Sequence, residues 1–258
     1  MVQHSLPDVA FAEQSCADCP IRYRAVCAHC EGDELAELER MKAYRGYAPG
    51  QTILWAGERM GMVGSIVTGV ATLSRTLADG RRQMVGLLLP SDFVGRPGRD
   101  MAPYDVIAAT DVTLCTFRKS DFERLLAQTP SLERRLLELT LDELDAAREW
   151  MLLLGRKTAR EKIATLLAIL ARRDAALRKT EPADGMSFVL PIQRGAMADY
   201  LGLTIETVSR QISALRRDQV IALEDTRRIR VPSYARLVEE AGNEDEFDAG
   251  LEGDILLR

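Results

Sequence analysis

The sequence has very little histidine: His4 and His29 are the only two in 258 residues. Histidine is the commonest general acid or base in enzymes, so this scarcity leaves few arrangements for histidine-based catalysis. The chain also has no apolar run near the roughly 20 residues that a membrane helix needs. Its N-terminus shows no basic flank followed by an apolar segment, the pattern of a signal peptide. These absences predict a cytoplasmic protein without a membrane span, and they argue against an enzyme.

Cysteine, by contrast, is concentrated. Four of the five cysteines, Cys16, Cys19, Cys27 and Cys30, follow the spacing C-x2-C-x7-C-x2-C. In a reducing compartment such a group is more typical of a metal site than of disulfides. Zinc could bind all four and leave Cys115 as a core residue. An iron–sulfur cluster could instead take three of them together with Cys115. The spacing alone leaves both open.

The net charge of −5 argues at first against a nucleic-acid partner, whose phosphates attract positive charge. However, residues 239–258 contain eight acidic residues and one basic residue, which leaves a net charge of +2 for residues 1–238. Between Arg194 and Arg230 seven arginines stand against five acidic residues. The charge distribution therefore does not exclude DNA.

Glycine and short β-type runs dominate the first half of the chain. Ten of the eighteen glycines lie between Gly46 and Gly98. The runs between and after them predict strands at 51–55, 64–67, 71–77 and 83–89 and two more within 105–117. Turn-forming residues separate these runs, so we expect a closed or sandwich-like β domain. A short amphipathic helix is predicted just before it, at Asp33–Met41.

A long helix follows, predicted to be capped by Ser131 and to end near Arg156. An apolar stripe at heptad spacing runs along it and predicts a homodimer interface. The residues of this stripe are Leu137, Leu144, Ala147, Met151 and Leu154. Thr140 is its weak point, and packing of the helix on its own core is the alternative.

Residues 193–217 have the pattern of a helix-turn-helix, with Gly202 at the turn and Thr204 as the cap of the second helix. On that helix Ile205, Val208, Ile212 and Leu215 form the predicted buried face. The opposite face carries side chains that suit the reading of base edges. The predicted DNA-binding residues are Thr204, Glu206, Thr207, Ser209, Arg210, Ser213 and Arg216. A following hairpin, Val220–Leu223 and Arg227–Val231, predicts a wing whose arginines contact the DNA backbone.

Taken together, these segments resemble the CRP/FNR superfamily of bacterial transcription regulators, and most closely its oxygen-sensing FNR branch in alphaproteobacterial form. The resemblance covers about residues 16–238. It is carried by CADCPIRYRAVC (16–27), LLLPSDFVG (87–95), ATDVTLCTF (109–117), WMLLLGRKTAREKIATLLAILARR (150–173) and YLGLTIETVSRQISALRR (200–217).

The resemblance implies an α+β chain with five parts. These are a cysteine-rich leader (1–32), a jelly-roll-like β-barrel similar to cyclic-nucleotide-binding domains (33–130), a dimerisation helix (131–156), a winged helix-turn-helix domain (157–238) and an acidic tail (239–258). It implies an activator of transcription that works with RNA polymerase and binds palindromic DNA of the type TTGAT-N4-ATCAA.

The resemblance also implies an oxygen-labile [4Fe–4S] cluster held by Cys16, Cys19, Cys27 and Cys115, with Cys30 as the alternative to Cys27. Relatives that bind cyclic AMP carry a phosphate-binding Phe-Gly-Glu followed by an arginine. The corresponding segment here, Asp92–Phe93–Val94–Gly95–Arg96–Pro97, lacks that glutamate. We therefore expect no cyclic nucleotide.

Overall fold

The computed structural model describes residues 14–242. The chain divides into two compact units between Leu141 and Asp142. The predicted leader before residue 14 and the predicted acidic tail from residue 243 onward lie outside the described residues. None of the helices within residues 14–242 combines the length and the apolar character that crossing a bilayer requires.

The first unit begins with a cysteine-rich loop, residues 14–31, and helix α1 (Gly32–Met41). Eight strands follow: β1 (Ala43–Tyr47), β2 (Thr52–Leu54), β3 (Met62–Thr68), β4 (Ala71–Thr76), β5 (Arg82–Leu88), β6 (Phe93–Val94), β7 (Asp105–Ala108) and β8 (Val112–Arg118). Helices α2 (Lys119–Leu126) and α3 (Pro130–Arg156) come next, and α3 continues past the boundary between the units.

The strands form two antiparallel sheets of four, in the orders β1-β8-β3-β6 and β2-β7-β4-β5. Apolar side chains from both sheets share one core, which makes a sandwich. The prediction of a closed barrel is wrong for the described residues, because no ladder joins the two sheets. The edge strands are β1 and β6 in one sheet and β2 and β5 in the other, and none of them pairs with a strand of the opposite sheet.

Strand β8 lies in the middle of the first sheet, and this position matters for the site. Cys115 on β8 faces Tyr44 of β1 on one side and Ser65 of β3 on the other. Gly64 of β3 is required here, because an added Cβ would lie 2.2 Å from the carbonyl oxygen of Cys115. The close approach of the two strands therefore depends on a residue without a side chain.

Helix α3 starts two residues earlier than a cap at Ser131 would place it. Pro130 is its first residue, a position where the missing N–H of proline costs nothing. Ser131 consequently lies inside the helix, so the prediction that it caps the helix is wrong. Its hydroxyl donates instead to Oε2 of Glu34 in α1, at 2.6 Å.

The second unit is built around helix α4 (Ala159–Leu177), which is buried along most of its length. Thr158 and Glu161 form a capping box at its start, since the threonine hydroxyl accepts from the Glu161 N–H and the glutamate accepts from the Thr158 N–H. Around it lie β9 (Ser187–Val189), α5 (Arg194–Leu201), α6 (Ile205–Arg217), β10 (Ala222–Leu223), β11 (Arg228–Arg230) and α7 (Tyr234–Glu240).

The elements of the second unit form a winged helix-turn-helix. Gly202 ends α5 in the left-handed conformation, with φ +62°, and Thr204 then caps α6 by accepting from the Thr207 N–H at 3.2 Å. Strands β10, β11 and β9 pair as an antiparallel sheet in that order. The tip between β10 and β11 is the wing.

Candidate metal centre and nucleic-acid interface

Each C-x2-C pair of the cysteine-rich loop closes a tight turn. The Cys19 N–H donates to the carbonyl of Cys16 at 3.4 Å, and the Cys30 N–H donates to that of Cys27 at 3.1 Å. Ser15 caps the first turn by accepting from the Ala17 N–H. This local geometry brings the two cysteines of each pair near each other, as the spacing predicted.

A buried arginine holds the loop together from inside. The guanidinium of Arg22, only 7% exposed, donates to the carbonyl of Cys27 at 2.7 Å and to that of Ala28 at 2.9 Å. It also donates to the carbonyl of Cys30. A buried charge needs such partners, and these bonds fix the backbone that carries Cys27 and Cys30.

Cys115 meets the loop although it lies far from it in the sequence. Cys19, Cys27 and Cys115 share one apolar cluster, which is made of Ile21, Ala25, Val67 and Tyr44. Burial raises the pKa of the Cys115 thiol, and the negative charges that Cys27, Cys16 and Cys19 would carry raise it further. The structure thus brings these four cysteines into electrostatic contact across the β8 surface.

The same environment acts on the other members of this group. Burial raises the pKa of the Cys27 thiol to about 12, although the nearby Arg22 guanidinium opposes the shift. Burial also raises the pKa of Tyr44, again reinforced by Cys115 and the cysteines of the loop. Burial raises the pKa of the Cys16, Cys27 and Cys115 thiols, so they need a positive centre nearby before they become thiolates together, and a metal cluster supplies that charge.

Cys30 lies in a second apolar core, against which Cys27 and Cys115 also pack. It is fully buried among the side chains of this core, which includes Phe117, Phe122 and Leu132. Its sulfur lies 4.0 Å from the Ser131 hydroxyl of α3. Burial raises its pKa too, but the other charges that act on it are those of Glu34 and Arg22. Cys27 differs from Cys30 in that it also packs against the cluster shared by Cys19 and Cys115.

Lys42 is a feature of the site that the sequence patterns did not indicate. Its Nζ lies 3.6 Å from the sulfur of Cys16, and it also donates to the carbonyl of Gln14 at 2.5 Å. A single lysine beside a helix has no recognisable pattern, so only the fold identifies it. An ammonium donor at this distance stabilises a thiolate.

The donor set fits an iron–sulfur cluster. Within the described residues, no three cysteine, histidine or acidic side chains converge closely enough to hold one metal ion. A four-iron cluster does not require the cysteine sulfurs to converge on one point, because each cysteine binds a different iron. Cys19, Cys27 and Cys115 around one apolar cluster, and the buried Cys16 beside Lys42, provide the thiolates, and Arg22 and Lys42 provide positive charge.

The second candidate site is the exposed face of α6. Glu206, Arg210, Ser213 and Arg216 are exposed there, and Thr204 lies exposed at the cap. Thr207 and Ser209 are partly buried, and Ser209 lies 3.4 Å from a guanidinium nitrogen of Arg194. Arginine, glutamate and serine at the start of an exposed helix can read base edges in a major groove.

The buried face of α6 differs from the prediction at one residue. Val208, Ile212 and Leu215 are buried as expected, but the side chain of Ile205 is 53% exposed. Ile205 is the first residue of the helix and therefore lies at its edge, where the core no longer covers it. The prediction for Ile205 is wrong.

The wing presents a basic edge next to this helix. The side chains of Arg227, Arg228 and Arg230 are exposed. The carboxylate of Asp225 accepts from the backbone N–H groups of Arg227 and Arg228, at 2.7 and 2.6 Å, and so shapes the tip. Exposed arginines on an ordered tip suit contacts with phosphates.

The predicted dimer stripe on α3 is mostly uncovered. Leu137, Leu144, Ala147 and Met151 are exposed, whereas Leu154 is partly buried and contacts the region of Gly202. Met151 is the most exposed of them, with 73% of its surface accessible. Large apolar side chains in a row on one helix are typical of a surface that a partner covers.

Comparison with known proteins identifies both units. The model of the cyclic nucleotide-binding domain matches residues 44–129, and that of the Crp-like helix-turn-helix domain matches residues 161–240. The chain is 62% identical over 251 residues to the transcriptional activator protein FnrL of Cereibacter sphaeroides, which covers 97% of this chain and 99% of FnrL.

A further curated relative and a solved structure are similar to this chain over most of its length. The nitrogen fixation regulation protein FixK of Bradyrhizobium diazoefficiens is 40% identical, over 84% of this chain and 91% of its own length. The solved structure of FixK2 from Bradyrhizobium japonicum superposes with a TM-score of 0.69 at 31% identity, covering 77% of this chain and 96% of that one. These relatives are transcription regulators and not enzymes, as the scarcity of histidine suggested.

Proposed function

The chain belongs to the CRP/FNR family of transcription regulators, and we propose that it is the oxygen-responsive kind. In this proposal Cys16, Cys19, Cys27 and Cys115 hold a [4Fe–4S] cluster under low oxygen, and the protein then dimerises and binds palindromic DNA. The observation that carries the proposal is the placement of Cys115 on the central strand β8, against the loop that bears the other three cysteines. Very high identity to an activator named FnrL supports it.

The cluster, when bound, supplies a centre that oxygen converts or destroys. The residues of the chain supply the rest. The thiolates of the loop and of β8 hold the loop on the first sheet, and Arg22 keeps the backbone around Cys27 in one conformation. Without a cluster that binds thiolates of both the loop and β8, apolar contacts attach the loop to β8. The packing of the loop against the neighbouring elements then weakens.

The proposed output is DNA binding by a homodimer in the cytoplasm. The exposed leucines and Met151 of α3 pair with those of a second copy, which places two α6 helices about one turn of DNA apart. Arg210 is suited to a guanine and Glu206 to a cytosine amino group, as a site of the type TTGAT-N4-ATCAA requires. Contact with RNA polymerase at the promoter then activates transcription.

The experiment compares DNA binding with and without air. We expect protein purified anaerobically to be brown and to bind the palindrome as a dimer, and to lose both colour and affinity on exposure to air. Cys115→Ala should abolish the colour and the oxygen response together. A colourless protein with stoichiometric zinc would contradict the proposal, as would a Cys115→Ala variant that keeps a full cluster and oxygen-sensitive binding.

A further inference from the structure

A second buried arginine connects the cysteine-rich loop to the helix proposed for dimerisation. Arg135 lies in the second turn of α3 and is 6% exposed. Its Nη2 donates to the carbonyl of Arg24 at 2.7 Å, and its Nε donates to that of Ala25 at 3.4 Å. Its Nη1 donates to Oε2 of Glu138 in the same helix, at 3.1 Å. The guanidinium therefore spans the gap between the loop and α3.

Arg135 and Arg22 hold adjacent parts of the same loop. Arg22 binds the carbonyls of residues 27, 28 and 30, and Arg135 binds those of residues 24 and 25. Because Arg22 makes the stretch from 22 to 30 one unit, a hold at residues 24 and 25 acts on Cys27 as well. A displacement of Cys27 is thus passed to the start of α3.

The contact lies just before the apolar stripe. Leu137 comes two residues after Arg135, which places the two side chains about 200° apart around the helix axis. Arg135 accordingly faces the loop, while Leu137 is 58% exposed on the opposite side. The first turns of α3 thus contact the cysteine-rich loop on one face and offer an apolar surface on the other.

We infer that Arg135 is a positioning residue that couples the cysteine-rich loop to the dimerisation helix. With the loop ordered by its three thiolates and by Cys115 on β8, Arg135 fixes the first two turns of α3 and so the orientation of Leu137. With the loop released, the carbonyls of Arg24 and Ala25 move away, and the buried guanidinium loses the partners that make its burial tolerable. The inference rests on the proposed function, since it assumes that the four cysteines share a cluster.

The chain offers a matched control for testing this inference. Arg134 is the neighbouring arginine on α3, and it is exposed. Arg135→Met keeps an unbranched side chain close in length to the aliphatic part of arginine but removes the donors, and Arg134→Met makes the same change at an exposed position. Arg135→Lys keeps the charge but not the planar fork that reaches two carbonyls, and it is the milder variant if the methionine variant folds poorly.

The measurement is the dimer dissociation constant by anaerobic sedimentation velocity, with and without the cluster, and with iron content determined for each sample. In the wild type and in Arg134→Met we expect cluster loading to tighten the dimer. In Arg135→Met at equal iron content we expect this gain to fall by about tenfold or more, within the usual range of coupling between sites. Arg135→Lys should lie between them.

The outcomes separate the inference from the function it rests on. If the wild type tightens on cluster loading and Arg135→Met tightens equally, the role of Arg135 is wrong and the proposed function stands. If the wild type takes up no cluster or does not tighten, the proposed function is wrong. Hydrogen exchange of residues 22–30 in cluster-loaded protein tests the contact itself: it should accelerate in Arg135→Met but not in Arg134→Met, and equal rates would overturn the inference.

Discussion

Replacing Gly64 with alanine tests how closely strand β3 packs against the strand that carries Cys115. The new Cβ would lie 2.2 Å from the carbonyl oxygen of Cys115, about 1.2 Å short of the 3.4 Å at which ordinary contact begins. It would also lie 3.0 Å from the Cα of Thr116. Both atoms belong to the backbone, so no side chain can turn away, and β8 itself has to shift.

Such overpacking costs about 1–3 kcal/mol. For a unit of this size that corresponds to a fall in Tm of roughly 4–12 °C. A shift of β8 on the order of 1 Å also exceeds the tolerance of about 0.5 Å within which a site has to hold its ligands. We therefore expect Gly64→Ala to lose the cluster faster in air than the wild type does.

The assay is thermal unfolding by circular dichroism, together with the decay of visible absorption after exposure to air. Gly61→Ala is the control, because a Cβ at Gly61 meets nothing within 4 Å and its φ is not left-handed. If Gly64→Ala matches Gly61→Ala in both Tm and decay, the two strands do not pack as closely as described, and the reasoning about Cys115 fails.

Further predictions concern the ligands, the DNA interface and the second unit. Cys27→Ala should remove the iron, whereas Cys30→Ala should keep it and only lower stability, as anaerobic iron analysis would show. Arg210→Ala should weaken binding to the palindrome by about 10–100-fold and relax its sequence specificity. Arg228→Ala should instead weaken binding to all DNA sequences alike and reduce the salt dependence of binding. Fluorescence anisotropy with labelled DNA measures both effects. Two hydrogen bonds from Arg160 lower the pKa of Glu240. The carboxylate therefore stabilises the folded unit fully above about pH 4.5, and this contribution is lost as the pH falls through the lowered pKa. Glu240→Gln should reduce the fall in unfolding free energy at low pH, as urea titrations at several pH values would show.

Much of the fold follows from local patterns in the sequence. Most strands, the helices α1 and α3 and the two helices of the helix-turn-helix are predicted, since alternation, turn residues and a cap such as Thr204 act over a few residues. Strands β1 and β6 are not predicted. β1 carries a glycine, Gly46, and shows little alternation, and β6 has only two residues, so pairing with the neighbouring strands makes them β-structure.

Some residues of the candidate site can be predicted from the sequence, and others cannot. The four clustered cysteines and the exposed face of α6 can be found from spacing and helical period. The buried arginines cannot, because Arg22 and Arg135 look like ordinary surface residues until the carbonyls of the loop lie beside them. Cys30 looks like a ligand for the opposite reason: its spacing suits a metal, yet the fold directs it into the core near Ser131.

The content of iron and acid-labile sulfide in anaerobically purified protein tests the central claim most directly. The account predicts about four of each per chain, with a brown colour that air bleaches. Iron and sulfide absent from protein that binds the palindrome equally well in air would contradict it, and so would one tightly bound zinc per chain in their place.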